Sequence, residues 1–451
     1  MSWEGAALVL ALAWEWCWQD RSAPSVTHSV TDMPKVKGIA SGVDTHRVRS
    51  RSRVRGLPRL FVGPKLLSAL TAVGLVLIAS GVVAAPAGAG PLAPPPLAVK
   101  VLAAPQPLPA TDWRAHLVYE ILLRNETDHA VRLDRVEVRA VTILAVLDGD
   151  AIERRLFRFT DDAFSRTLPP GGSGMLLLDV TLAPGARVPT RLDHRFGVAT
   201  GDGDGVTTFT GARTTVERRE PLRVSAPLRG GSIAVFGCCG PPFGHRRARV
   251  ELDGRIYLAQ RYAVDLVRMD AALNTNAGDP TRNESYYIFG AAVMAAAPGR
   301  VLAVRDGVPE NTPPAFPPDL GDNDVLGNFV LQDLGGGRTA VYAHLSTGSV
   351  RVRPGDRLDR GQVLGQVGNN GNSFQPHLHF QVTDAPGLPF GLTANGVPFV
   401  FDRFRLDSRV AGFDTFPPAP VRIPVPPPHR RAGMYSLTGD IVTFEPSSDR
   451  R

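Results

Sequence analysis

Cysteine is scarce: the 451 residues hold only Cys17, Cys238 and Cys239. That count excludes a disulfide framework. The adjacent Cys238-Cys239 pair also has too few partners and the wrong spacing for a structural zinc site. Two buried thiols in a turn are the expected state of the pair, with a disulfide between neighbours as the other reading. Lysine is absent after Lys100. Four of the five tryptophans crowd into Trp3, Trp14, Trp16 and Trp18, leaving Trp113 for the rest. Such crowding is expected if the true start lies downstream, with Met33 the alternative. No basic helix interleaved with aromatics occurs, so the formal charge of +7 does not point to nucleic acid. The second half contains no long amphipathic helix, which excludes a helical domain there.

What is present is β-rich. Gly 46 and Pro 40 imply many turns, while 43% hydrophobic and 21% charged residues are ordinary for a globular chain. The length calls for two domains and additional segments. Residues 1–65 form a basic region expected to be disordered or upstream of the true start, with Arg47, Arg49, Arg51, Arg53, Arg55, Arg59 and Lys65 in its later part. The uncharged stretch 66–85, LLSALTAVGLVLIASGVVAA, follows, with small residues at Ala85 and Ala87. Charge, apolar core and small residues in that order read as an export signal; an uncleaved membrane anchor is the alternative. Either places the rest in the cell envelope, in the periplasm or on the surface. There a net positive charge favours anionic envelope polymers.

A Pro/Ala linker spans 86–96. Residues 97–226 contain short alternating runs, among them HLVYEILL, VRLDRVEVRAV and GMLLLDVTL, separated by Asp148-Gly149, Pro169-Pro170-Gly171-Gly172 and Pro184-Gly185. This pattern predicts an antiparallel β-sandwich of immunoglobulin-like type acting as an accessory domain or spacer. His116, His129 and His194 are scattered through it and read as surface or strand histidines. Residues 227–415 predict a Gly-rich antiparallel β domain. Residues 416–451 predict a loose Pro-rich and polar tail with an edge strand at Gly439 to Phe444.

Chemistry-bearing residues concentrate in the second domain. His377-Leu378-His379 on a strand sends both imidazoles to one face and Leu378 to the other. Asp265 is expected at the end of a strand running from Arg255, and His344 lies in the run YAHL. One carboxylate and three histidines meet the demands of a hydrolytic zinc site, namely ligands, an open position and a nearby base.

The run from Gly299 to Val382, with Tyr-Ala-His-Leu, Pro-Gly-Asp, then Gly-Asn-Ser and Pro-His-Leu-His-Phe, resembles the lysostaphin-type zinc endopeptidases. The resemblance covers roughly Arg255 to Val382. It implies a fold of the duplicated hybrid motif kind, a Zn2+ cofactor and hydrolysis of peptide bonds in bacterial peptidoglycan. Asp265 and His379 then match metal ligands, and His377 and His344 match the catalytic pair, serving as general base and as stabiliser of the oxyanion. One position departs. Where the family has a histidine four residues before the aspartate, this chain has Arg261, which only donates and stays protonated. The nearest upstream imidazole, His245, is the candidate replacement ligand. The competing reading is a degenerate relative that binds peptidoglycan or regulates another cell-wall hydrolase, motivated by a cation in place of a ligand. The hairpin Val350 to Val367 also resembles a lipoyl or biotinyl carrier, which the absence of lysine excludes.

Overall fold

The strand Val131–Arg139 buries Val131, Leu133, Val136 and Val138 against a shared core, and a bulge between Leu133 and Arg135 resets the period. Ala115–Asn125 behaves differently, because its sheet is covered on both faces. Leu117, Tyr119, Ile121 and Leu123 enter the sandwich core, whereas Val118 joins the core of the following domain. Ser173–Leu182 repeats this arrangement. Leu176, Leu178 and Val180 point inward, and Met175 and Leu177 pack with Leu258 on the far side. Double burial explains why these strands read as nearly continuous apolar runs.

The computed structural model describes residues 94–201, 205–239, 244–318, 320, 324–386, 392–412 and 420–445. The basic region 1–65, the apolar segment 66–85 and nearly all of the linker lie outside them. Among the described residues no helix is long and apolar enough to cross a membrane. The fold is mainly antiparallel β, as expected. Two five-stranded sheets form the sandwich: one follows the order Leu97–Val101, Ala115–Asn125, Ser173–Leu182, Leu156–Arg158, and the other Val206–Thr215, Arg191–Thr200, Val131–Arg139, Ile143–Asp148.

The second domain is built on a ten-stranded sheet. Its centre runs Phe329–Gly335, Arg338–Ala343, Leu378–Thr383, Val264–Arg268, Gly230–Gly237, Asp440–Phe444. Several expectations need correction. Asp265 is the second residue of the Val264–Arg268 strand, not the end of one continuous strand from Arg255; Arg255–Tyr257 instead forms its own hairpin with Val250–Leu252. Asp440–Phe444 is an interior strand, because Ile441 fills one face and Val442 with Phe444 the other. The Pro-rich stretch is not loose either, since Val421–Arg431 forms the outermost strand. Proline is tolerated there because an edge strand needs hydrogen-bond donors on one side only. Cys238 and Cys239 form a disulfide and are not free thiols.

Two of the scattered histidines are buried and paired. His194 accepts a hydrogen bond from the Tyr119 hydroxyl at 2.7 Å and donates to Ala212 O at 2.9 Å; burial pushes its pKa down to about 4. His116 is held between Asp179 at 2.9 Å and Asp112 at 3.2 Å. Burial alone would lower its pKa, yet hydrogen bonds and attraction to the two carboxylates raise it to about 9. A raised folded-state value stabilises the fold below the unfolded value of 6.5, and the gain fades as pH rises through about 9. We expect roughly 3 kcal/mol of stability to disappear across that window. Urea midpoints at pH 6 and pH 9.5 would measure it, and His116→Gln should flatten the difference. An equal slope in both proteins would contradict this assignment.

Candidate metal centre

Three adjacent strands bring the site together. In the register, Asp265 lies opposite His379, and His379 lies opposite Ala343, the residue before His344. His344 adopts a φ of 61°, a left-handed conformation that histidine tolerates better than β-branched residues, as the chain leaves its strand. Leu378 packs into the core while the histidines on either side turn to the opposite face. All five residues singled out from the sequence, Asp265, His344, His377, His379 and His245, meet in this one place.

Their donors fall into two groups. Asp265 Oδ1 is 2.9 Å from His379 Nδ1, and Asp265 Oδ2 is 3.0 Å from His245 Nε2. The ligand atoms of His245, Asp265 and His379 all lie within 4.8 Å of one another. The second group is His344 and His377, whose rings are 4.6 Å apart. His344 Nδ1 donates to Asn370 O at 2.7 Å and His377 Nδ1 donates to Gln375 O at 2.8 Å. Each ring is thereby fixed in one tautomer, with Nε2 left for chemistry. Burial, first of all, holds both imidazoles below their ordinary pKa, so both are neutral. Burial would raise the Asp265 carboxyl, but the surrounding imidazoles, His245 foremost through its attraction and its hydrogen bond, hold it well below the usual range.

The donor set fits a divalent cation. His379 Nε2 lies 2.9 Å from Gln381 Oε1, an acceptor that suits the tautomer protonated at Nε2, and Nδ1 lies 2.9 Å from Asp265 Oδ1. In that tautomer Nδ1 and the carboxylate offer two lone pairs that a cation can bridge. Ligands about 2.0–2.1 Å from a tetrahedral zinc sit roughly 3.3 Å from each other, close to the separations found here. Gln381 was missed in the sequence, although His377, His379 and Gln381 share one strand face. It orients the ring as outer partners of metal-bound histidines do. The backbone acceptors at Asn370 and Gln375 have no sequence signature. A second grouping, His116, Asp179 and Cys239, offers no thiolate because Cys239 is in the disulfide.

Arg261 does not occupy the metal position. Its side chain turns into the boundary between the domains, where Nε donates to Glu120 Oε2 at 2.8 Å and Nη1 to Gly396 O at 3.1 Å. The cation that seemed to stand in place of a ligand is neutralised elsewhere.

Residues 287–389 match the model of peptidase family M23. This segment belongs to that family. It contains His344, His377 and His379, while Asp265 and His245 lie before it. The cell division protein DipM of Caulobacter vibrioides is 31% identical over 97 residues, which is 22% of this chain and 13% of that protein's length. Among solved structures, the catalytic domain of lysostaphin from Staphylococcus simulans is 22% identical and aligns over 34% of this chain and 80% of that one, with a TM-score of 0.20. A zinc-containing peptidase from Vibrio cholerae is 15% identical over 59% of this chain and 77% of its own, with a TM-score of 0.21. The M23 assignment therefore stands on the sequence match.

Proposed function

We propose that the chain is an exported zinc metalloendopeptidase that hydrolyses peptide bonds of bacterial peptidoglycan in the cell envelope. One observation carries the reading: two neutral, oriented imidazoles stand beside a three-donor cluster. His245, Asp265 and His379 would hold the metal. Bound zinc would supply Lewis acidity, lowering the pKa of water and polarising a carbonyl. His377, with Nε2 unprotonated, accepts the proton of the attacking water. His344, whose ring centre lies 4.6 Å from that of His377, takes a proton from solvent at Nε2 and donates it in a hydrogen bond to the developing oxyanion. The M23 family match and the apolar, positively flanked segment 66–85 support the substrate and the location.

The loop from Gly307 is tied to the same region. Glu310 accepts from the backbone N–H of Asn369 and of Thr347, and Asn311 Nδ2 donates to Gly371 O and Ser373 O. It is thus placed to contribute to peptide selection. Against the non-catalytic reading stands the pairing of Arg261 with Glu120, which keeps that cation out of the donor cluster.

Elemental analysis of the purified protein should give about one zinc per chain, and incubation with purified peptidoglycan should release new amino termini. Zinc without hydrolysis would turn the assignment to a binding or regulatory protein. Absence of zinc after reconstitution would remove the metal reading altogether.

A further inference from the structure

His245 is carried by a single helical turn, Gly244–Arg247. A turn this short has little stability of its own, since nucleating a helix is unfavourable. What fixes it comes from the other domain. Arg246 is 2% exposed, and Nη2 donates to Glu120 Oε1 at 3.0 Å, Tyr119 O at 3.1 Å and Leu178 O at 3.0 Å; Nη1 donates to Cys239 O at 3.4 Å. The guanidinium of Arg247 stands 5.7 Å from the Phe157 ring, and that of Arg249 stands 4.3 Å from the Phe159 ring. Arg249 also pairs with Asp162 at 2.9 Å. Residues 246, 247 and 249 are thus held by the sandwich, while residue 245 faces Asp265.

We infer that the sandwich is a working part of the metal centre: Glu120, through Arg246, is a positioning residue that sets His245 as the third donor to a divalent cation. The inference rests on the metal reading above. The same carboxylate engages Arg261, so the residue that replaced the family's ligand and the helix that supplies the substitute share one buried partner, Glu120, itself 0% exposed. A fully buried carboxylate with two guanidinium partners fixes both in space, because moving either away would leave a buried charge uncompensated. The accessory domain is therefore not a spacer in this chain.

Zinc affinity of the full chain, measured by competition with a chromophoric chelator, tests this. His245→Ala should weaken binding about tenfold or more, and Arg246→Met by a similar factor, as loss of an orienting partner does. Combining them should give no further loss, whereas a merely structural role would leave the two losses to multiply. Arg261→Met removes the other arm of the clamp without touching the helix, and should keep affinity within about threefold of the unaltered protein. If Arg246→Met does not fold, Arg246→Lys keeps the charge but lacks the fork that reaches several acceptors, and should weaken zinc binding too. Unaltered affinity in a folded Arg246 variant, or multiplying losses, would overturn the inference. A wild-type chain that binds no zinc would instead overturn the metal reading on which it rests. Zinc binding indifferent to His245→Ala would overturn the inference, whose object is His245, and leave the metal reading standing.

Discussion

Replacing His377 with alanine is expected to cut peptidoglycan hydrolysis by about 10²–10⁴-fold while leaving about one zinc bound. The two effects separate because His377 belongs to the second group of donors. Its Nε2 is 3.5 Å from Asp265 Oδ1, longer than either contact made by His245 or His379, and its Nδ1 is committed to Gln375 O. Removing the ring takes away a proton acceptor and leaves the three-donor cluster intact. His379→Ala should do the reverse and lose the metal first, since Nδ1 of that ring faces the carboxylate at 2.9 Å with its other nitrogen held by Gln381. Release of amino termini and bound zinc, measured on the same preparations, separates the roles. If His377→Ala released the metal, it would have to be counted a ligand; if it hydrolysed at the wild-type rate, the proton acceptor would have to be sought elsewhere.

How much of this could be read in advance depended on whether a residue acts within one strand or across domains. The period of two in Pro-His-Leu-His-Phe predicts the shared face of His377 and His379 and the inward Leu378, and the structure has both. The M23 match likewise covers the part where spacing carries the site, from His344 to His379. Asp265 stands out in the sequence, but its place in the strand does not, because Ala259 to Ala263 contains no Gly or Pro to mark the turn that it forms. The tail departs from expectation because Val421–Arg431 looks unfit for a sheet until its edge position removes the need for every donor. Glu120 gave one local hint, a charge in the middle of the apolar run HLVYEILL. Its meaning depended on Arg246 and Arg261, 126 and 141 residues away in sequence. No local pattern predicts such a meeting, and the sequence alone shows Arg261 only as a departure at the ligand position.

That cluster also gives the largest expected effect on stability. Glu120→Gln should destabilise the fold by about 3–5 kcal/mol, because it leaves two buried guanidinium groups without a counter-charge. Arg246 and Arg261 are 2% and 4% exposed, so water cannot take over the role of the carboxylate. Burial alone would raise the Glu120 pKa; attraction to Arg261 and Arg246 outweighs it and holds the group below its ordinary value of 4.5. A depressed folded-state value stabilises the protein above pH 4.5, and the gain is lost as pH falls further through the folded value. Urea denaturation at neutral pH should therefore show a much lower midpoint for Glu120→Gln. The two proteins should converge in acid, where the wild-type carboxyl is protonated as well. Replacing the whole cluster with apolar residues of similar volume, Glu120→Leu with Arg246→Met and Arg261→Met, should recover much of the stability, since a buried ion cluster is costly to desolvate. The recovered protein should still bind zinc weakly, having lost the hold on His245. A triple variant as stable as wild type that binds zinc as tightly would mean that packing, not charge, places the helix. Equal midpoints for Glu120→Gln and wild type at pH 7 would mean that the two arginines find other partners.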